Sequence, residues 1–161
     1  MKKHFNLLLI LSGMLLVSAC TRTADQTPRE INFDRDICIN CLMGLADQKF
    51  SAQSINLRNE VLWYDDLGCL VEYMKSPDWE TYGGKDAVSW IGDAATGEWL
   101  RVEDAWYVFG VDTPMGYGYA AYKENREGAF DFETTVQRIN DGLTMREDFL
   151  EKKKMLHHDM N

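Results

Sequence analysis

Hydrophobic and polar residues alternate in distinct ways along the chain, and each rhythm predicts a different element. Leu7 to Val17 is an almost unbroken apolar run, whereas residues 21–35, "TRTADQTPREINFDR", carry no apolar period at all. "KFSAQSINL" and "EVLWYD" then alternate every second residue around a turn at Arg58-Asn59, which predicts a β-hairpin. In "DDLGCLVEYMKS" the period lengthens: Leu67, Leu70, Val71 and Met74 fall on one helical face. Asp65 or Asp66 is placed to cap that helix, and Ser76-Pro77 to close it.

The second half repeats the order. "AVSWIG" and "WLRV" predict strands either side of "DAATGE", and "DAWYVFG", "YGYAAY" and "GAFDF" add strand candidates. "ETTVQRIND" predicts a short helix stopped by Gly142, and "TMREDFLEKKKMLHHDMN" a charged amphipathic helix or tail. Met43-Gly44 precedes strands and an acidic helix start; so does Met115-Gly116. The expectation is an α+β fold of two related strand-strand-helix units, 36–82 and 83–142, followed by a tail at 143–161. Either unit alone is too small for a sturdy core, so the two must pack together.

The ends change the picture of where such a domain works. Lys2 and Lys3 precede the apolar run, which is too short to span a bilayer comfortably, so residues 1–19 read as a signal peptide. Its end, "LVSAC", resembles a bacterial lipobox and implies cleavage before Cys20 with lipidation of its sulfur. Each buried methylene contributes roughly 0.8 kcal/mol, so several acyl chains would hold the protein firmly to a membrane. Residues 20–35 then read as a polar, flexible tether. Loss of Lys2 and Lys3 removes two positive charges and takes the formal net charge from −9 to −11. Such an acidic surface argues against nucleic acid and against electrostatic attachment to anionic lipid.

With Cys20 acylated, Cys38, Cys41 and Cys69 remain, an odd number for an oxidising compartment, so at least one thiol stays unpaired unless metal protects it. The segment "CINCLMG" admits several chemistries. Zinc needs four ligands and only one Cys-x-x-Cys pair is present, so Cys69 and an Asp or His would have to complete the set. A redox pair uses the same spacing but normally follows a strand and opens a helix. A Cys38–Cys41 disulfide and ordinary packing of soft side chains are further readings. Met43 adds a thioether two residues after Cys41, and thiolate with thioether selects Cu(I). On an extended segment both side chains would share a face. Met115, between Pro114 and Gly116, sits where an exposed ligand is reasonable.

"CINCLMG", "YDDLGCLVEYM", "DAWYVFGVDTPMGYGYAAY" and "GAFDFETTV" together resemble the NosL family, copper-binding accessory lipoproteins of nitrous oxide reductase. The resemblance runs from Cys20 to Asp141. It implies a Cu(I) metallochaperone of the bacterial cell envelope, anchored at the outer membrane, facing the periplasm and supplying the reductase's copper–sulfide cluster. Carried over by motif, Cys41 and Met43 are the expected ligands and Met115 a candidate third, while Cys38 and Cys69 put further thiols near the site, so that copper shared among more sulfurs stays open. Leu42 stands where the family commonly has glycine.

Blander roles suit the other conspicuous residues. Asp65 and Asp66 suit a helix start, the five tryptophans a core, and Met155, His157, His158 and Met160 a solvated terminus. No nucleophile–base motif suggests turnover, so the protein is not expected to be an enzyme. The competing readings are a tethered thiol–disulfide oxidoreductase using Cys38 and Cys41, and a structural lipoprotein with permanent zinc or a disulfide.

Overall fold

A computed structural model describes residues 24–158. The signal peptide, Cys20 and Met160 lie outside the described residues. So do the side chains of His157 and His158. Four antiparallel strands, β1 (Ala52–Ile55), β2 (Val61–Tyr64), β3 (Val88–Gly92) and β4 (Trp99–Arg101), form a sheet in the order β2-β1-β3-β4. A second, two-stranded sheet pairs β5 (Trp106–Phe109) with β6 (Tyr119–Tyr122). Among the described residues four α-helices complete the fold: α1 (Leu67–Met74), α2 (Pro77–Tyr82), α3 (Phe132–Asn140) and α4 (Met145–His158). Among the described residues no helix is long and apolar enough to cross a membrane.

The α+β expectation holds. The β1–β2 hairpin turns where the alternation breaks, with Asn59 at φ 62. Because β1 also pairs with β3, the sheet runs straight across the partition at 82/83. "GAFDF" contributes only a bridge from Phe130 to Tyr107, because Asp131 caps α3 through Thr134 N–H and draws the following residues into the helix. Pro77 does end α1, as predicted, but it also opens α2: proline lacks the N–H that the first helical turn leaves unpaired.

Helix α1 lies between the sheets, touching β1, β2, β6 and α3, and its Leu67, Leu70 and Val71 are buried. The core is filled by tyrosines, with Tyr64, Tyr107 and Tyr119 the largest fully buried side chains. The five tryptophans are only half-buried. Trp63 and Trp90 flank Gln53 in the register of β2, β1 and β3, on the face turned away from α1.

That face corrects the flexible-tether reading from residue 24 onward. Arg29 N–H donates to Gln53 Oε1 (2.8 Å), Gln53 Nε2 returns a bond to Arg29 C=O (3.0 Å), and Trp90 Nε1 donates to Gln26 C=O (2.9 Å). Asp25 N–H reaches Asn59 Oδ1 in the hairpin turn. A strand as polar as Ala-Gln-Ser-Ile can be wholly buried because this segment and the Ser54–Ser89 hydroxyl pair satisfy its side chains. Residues 24–31 need no strand-like alternation, because Arg29 and Gln26 meet the sheet through the side chains of Gln53 and Trp90 rather than through a strand ladder.

Candidate metal centre

The segment 36–45 folds back on itself. Ile37 bridges Gly44, Cys38 N–H donates to Met43 C=O (2.8 Å), and Leu42 N–H donates to Cys38 C=O (2.9 Å). Ile39 N–H then joins the loop to the edge strand β2 through Trp63 C=O (2.9 Å). The reversal is completed by Leu42 at φ 62, a left-handed conformation that favours glycine. Cys41 and Met43 therefore flank a turn. The segment is not extended there, so Cys41 and Met43 do not share the face of a strand.

What the turn does achieve is to deliver Cys38 and Cys41 to the start of α1, where Cys69 projects from the first helical turn. The three sulfurs lie within 4.8 Å of one another, and all three are free thiols. Three sulfurs around one metal at about 2.3 Å would stand roughly 4.0 Å apart, so less than an ångström of closure is needed. Cys38 and Cys69 are sealed from solvent, at 0% and 1% exposure, while Cys41 is half-buried. Of the three, Cys41 is the one that solvent reaches.

The cluster is electrostatically polarised. The Cys69 thiol donates to Cys38 Sγ, and backbone N–H groups of Cys41 (3.4 Å) and Asp65 together with the Cys41 thiol add to it. These donors outweigh burial and hold Cys38 down to about 5 from an ordinary 9.0. Its position at the N-terminus of α1 acts in the same sense. Cys69 is pushed up, first because its proton is donated to Cys38 and then by burial. Cys41 is also pushed up, by burial first and then by the neighbouring Cys38 charge, against the pull of the Met43 N–H. One thiolate stands ready and two thiols await a cation that displaces their protons.

The methionines occupy different surroundings. Met43 is 54% exposed at the rim, beside Leu42, Ile37 and Ile39, all exposed. Met115 is half-buried and packs against the core that contains Cys38 and Cys69. Its backbone N–H donates to Asp66 Oδ2 (3.1 Å), and Thr113 Oγ1 donates to the same oxygen (2.6 Å). Asp66, not Asp65, caps α1; Asp65 accepts from Ala46 N–H instead. Met74 packs on the core, Met145 covers Gly118, and Met155 is exposed on α4.

The structure thus unites Cys38 and Cys41 with Cys69, which motif reading left outside the first-choice ligands. The signal for Cys69 lay in the odd cysteine count and in its place one turn after a capping aspartate. Among the described residues no fourth histidine, cysteine or carboxylate joins the three.

No protein-family model matches the chain, and no curated protein matches it. Among solved structures, the copper chaperone NosL from Shewanella denitrificans is similar in fold, with a TM-score of 0.51 over 71% of this chain and 88% of that one. Sequence identity across the match is 13%. The likeness shows a shared fold.

Proposed function

We propose that the protein is a Cu(I) carrier, and the observation that carries this reading is the three-thiol cluster with one half-exposed member and, among the described residues, no fourth histidine, cysteine or carboxylate. Cu(I) accepts two or three soft donors, whereas structural zinc requires four. Cys38 receives the ion as a preformed thiolate, Cys41 and Cys69 follow with loss of their protons, and Met43 and Met115 offer thioethers at the margin. Because Cys41 is the thiol that solvent reaches, a partner's donors attack from that side and the ion leaves by ligand exchange. The similar fold of a copper chaperone supports the same reading.

The motifs that resemble NosL extend the proposal to a client, nitrous oxide reductase, and to a periplasm-facing protein held by a lipid on Cys20. Copper transfer to the metal-free reductase from this protein, and not from its Cys41→Ala variant, is the outcome expected.

The oxidoreductase alternative needs an accessible low-pKa sulfur. Here the low-pKa sulfur, Cys38, is sealed, and the accessible one, Cys41, is shifted upward.

Anaerobic titration of the reduced soluble domain with Cu(I) against a chromophoric chelator tests the function. One ion per chain is expected, with large losses in Cys41→Ala and Cys69→Ala and a smaller loss in Met43→Leu. Failure of the wild-type domain to take copper from the chelator, or recovery of tightly held zinc alone from cells, would falsify the proposal.

A further inference from the structure

Asp66 is a carboxylate with 1% exposure and no cationic partner among the described residues. Burial at that cost calls for a complete set of hydrogen bonds, and the two oxygens divide the work. Oδ1 accepts Gly68 N–H (3.1 Å) and so caps α1. Oδ2 accepts Thr113 Oγ1 (2.6 Å) and Met115 N–H (3.1 Å) from the loop between β5 and β6. The backbone carbonyl of the same residue accepts Cys69 N–H (3.0 Å). A single residue therefore holds the main chain of two sulfur-bearing positions that lie far apart in sequence. A second contact secures the same junction: Gly68 lies so close to the Tyr117 ring that no Cβ fits between them.

We infer that Asp66 is a positioning residue that locks the Met115 loop onto the helix carrying Cys69, so that the Met115 thioether is delivered to the copper held by the thiols. The inference rests on the copper-carrier reading. Met115 packs against the same buried cluster that contains Cys38 and Cys69, so its loop borders the thiols. The Asp66 tie makes that loop part of the same rigid unit, because it is bonded through backbone rather than through flexible side chains. Ligands oriented in this way are typically 10–100-fold weaker when the outer partner is lost.

Asp66→Asn is the discriminating change. Asparagine retains the Oδ1 acceptor for Gly68 but places an N–H₂ donor opposite the Met115 N–H, so the cap survives and the tie to Met115 does not. The reduced full-length domain is titrated with Cu(I) in four forms: wild type, Asp66→Asn, Met115→Leu and the double variant. X-ray absorption at the copper edge counts sulfur neighbours in each. The expected result is a 10–100-fold loss for Asp66→Asn, disappearance of that loss in the Met115→Leu background, and the same reduced sulfur shell in both single variants. An equal loss in both backgrounds, or an unaltered sulfur shell in Asp66→Asn, overturns the inference, since a purely structural role would weaken both backgrounds alike. Thr113→Val, which removes one donor to Oδ2 and leaves the carboxylate in place, must show the same dependence on Met115 if Asp66→Asn fails to fold. Copper uptake by the wild type with no loss in either variant sinks only this positioning role; no uptake by the wild type sinks the carrier function and this role with it.

Discussion

Gly68→Ala places a methyl group where the structure has an aromatic ring. The added Cβ would stand 2.0 Å from two atoms of Tyr117, whose ring is buried at 6% exposure. Ordinary carbon contacts lie near 3.5–4 Å, so the ring has to retreat by about 1.5 Å within a packed core. Overpacking of this kind costs roughly 1–3 kcal/mol. Alanine returns part of that through helix propensity, up to about 1 kcal/mol in a helix interior and less at the second residue of α1. A net loss of about 1–2 kcal/mol follows, which lowers the midpoint by roughly 3–10 °C for a domain of this size. Gly44→Ala is the matched control: nothing lies within 4 Å of its added Cβ, and its φ is not positive. Thermal and urea unfolding of reduced, metal-free protein measures both. A Gly68→Ala protein as stable as wild type, or no less stable than Gly44→Ala, would refute the close packing of Tyr117 on α1. Since Tyr117 follows Met115 in the chain, the same variant is expected to weaken Cu(I) binding while Gly44→Ala leaves it within about threefold, a difference below 1 kcal/mol.

Three further outcomes follow from the same geometry. Cys38, held near 5 in the fold and near 9.0 when unfolded, contributes stability that is complete above pH 9 and is lost as pH falls through 5. Metal-free wild type is therefore expected to gain stability from pH 5 to 9 relative to Cys38→Ala; parallel curves for the two proteins would contradict the thiolate assignment. Above pH 9 the sign reverses, because Cys41 and Cys69, raised in the fold, ionise first in the unfolded chain. Leu42→Gly relieves a left-handed leucine at a 70% exposed position, offset by the greater freedom of unfolded glycine, for a net gain of up to about 1 kcal/mol in urea unfolding; a destabilised variant would show that the φ of 62 is not strained. Gln53→Leu strips both partners from the Arg29 backbone and is expected to cost about 1–3 kcal/mol and to expose residues 24–31 to limited proteolysis. Unchanged cleavage of that segment would mean that the docking seen here does not hold it.

Much of the local structure was legible in the chain. The hairpin, α1 with its aspartate cap, the Gly142 stop and the α+β class follow from periods of two and 3.6 and from capping chemistry, which act over a few residues. The odd cysteine count already required either metal or a free thiol. Tertiary structure alone decided the rest. That β3 joins β1, that residues 24–31 lie on the sheet, and that Asp66 reaches Met115 are pairings between distant segments, which no local period encodes. The ligand set belongs with these. Cys38 and Cys41 were adjacent by spacing and Cys69 was a further thiol; what joins it to them is the packing of the first turn of α1 against the loop at 38–43. A thiolate near 5 exists there for the same reason: the hydrogen-bond donors that hold its charge come from its own turn at Cys41 and from Asp65 and Cys69 at the start of α1, and only the folded protein brings the two segments together.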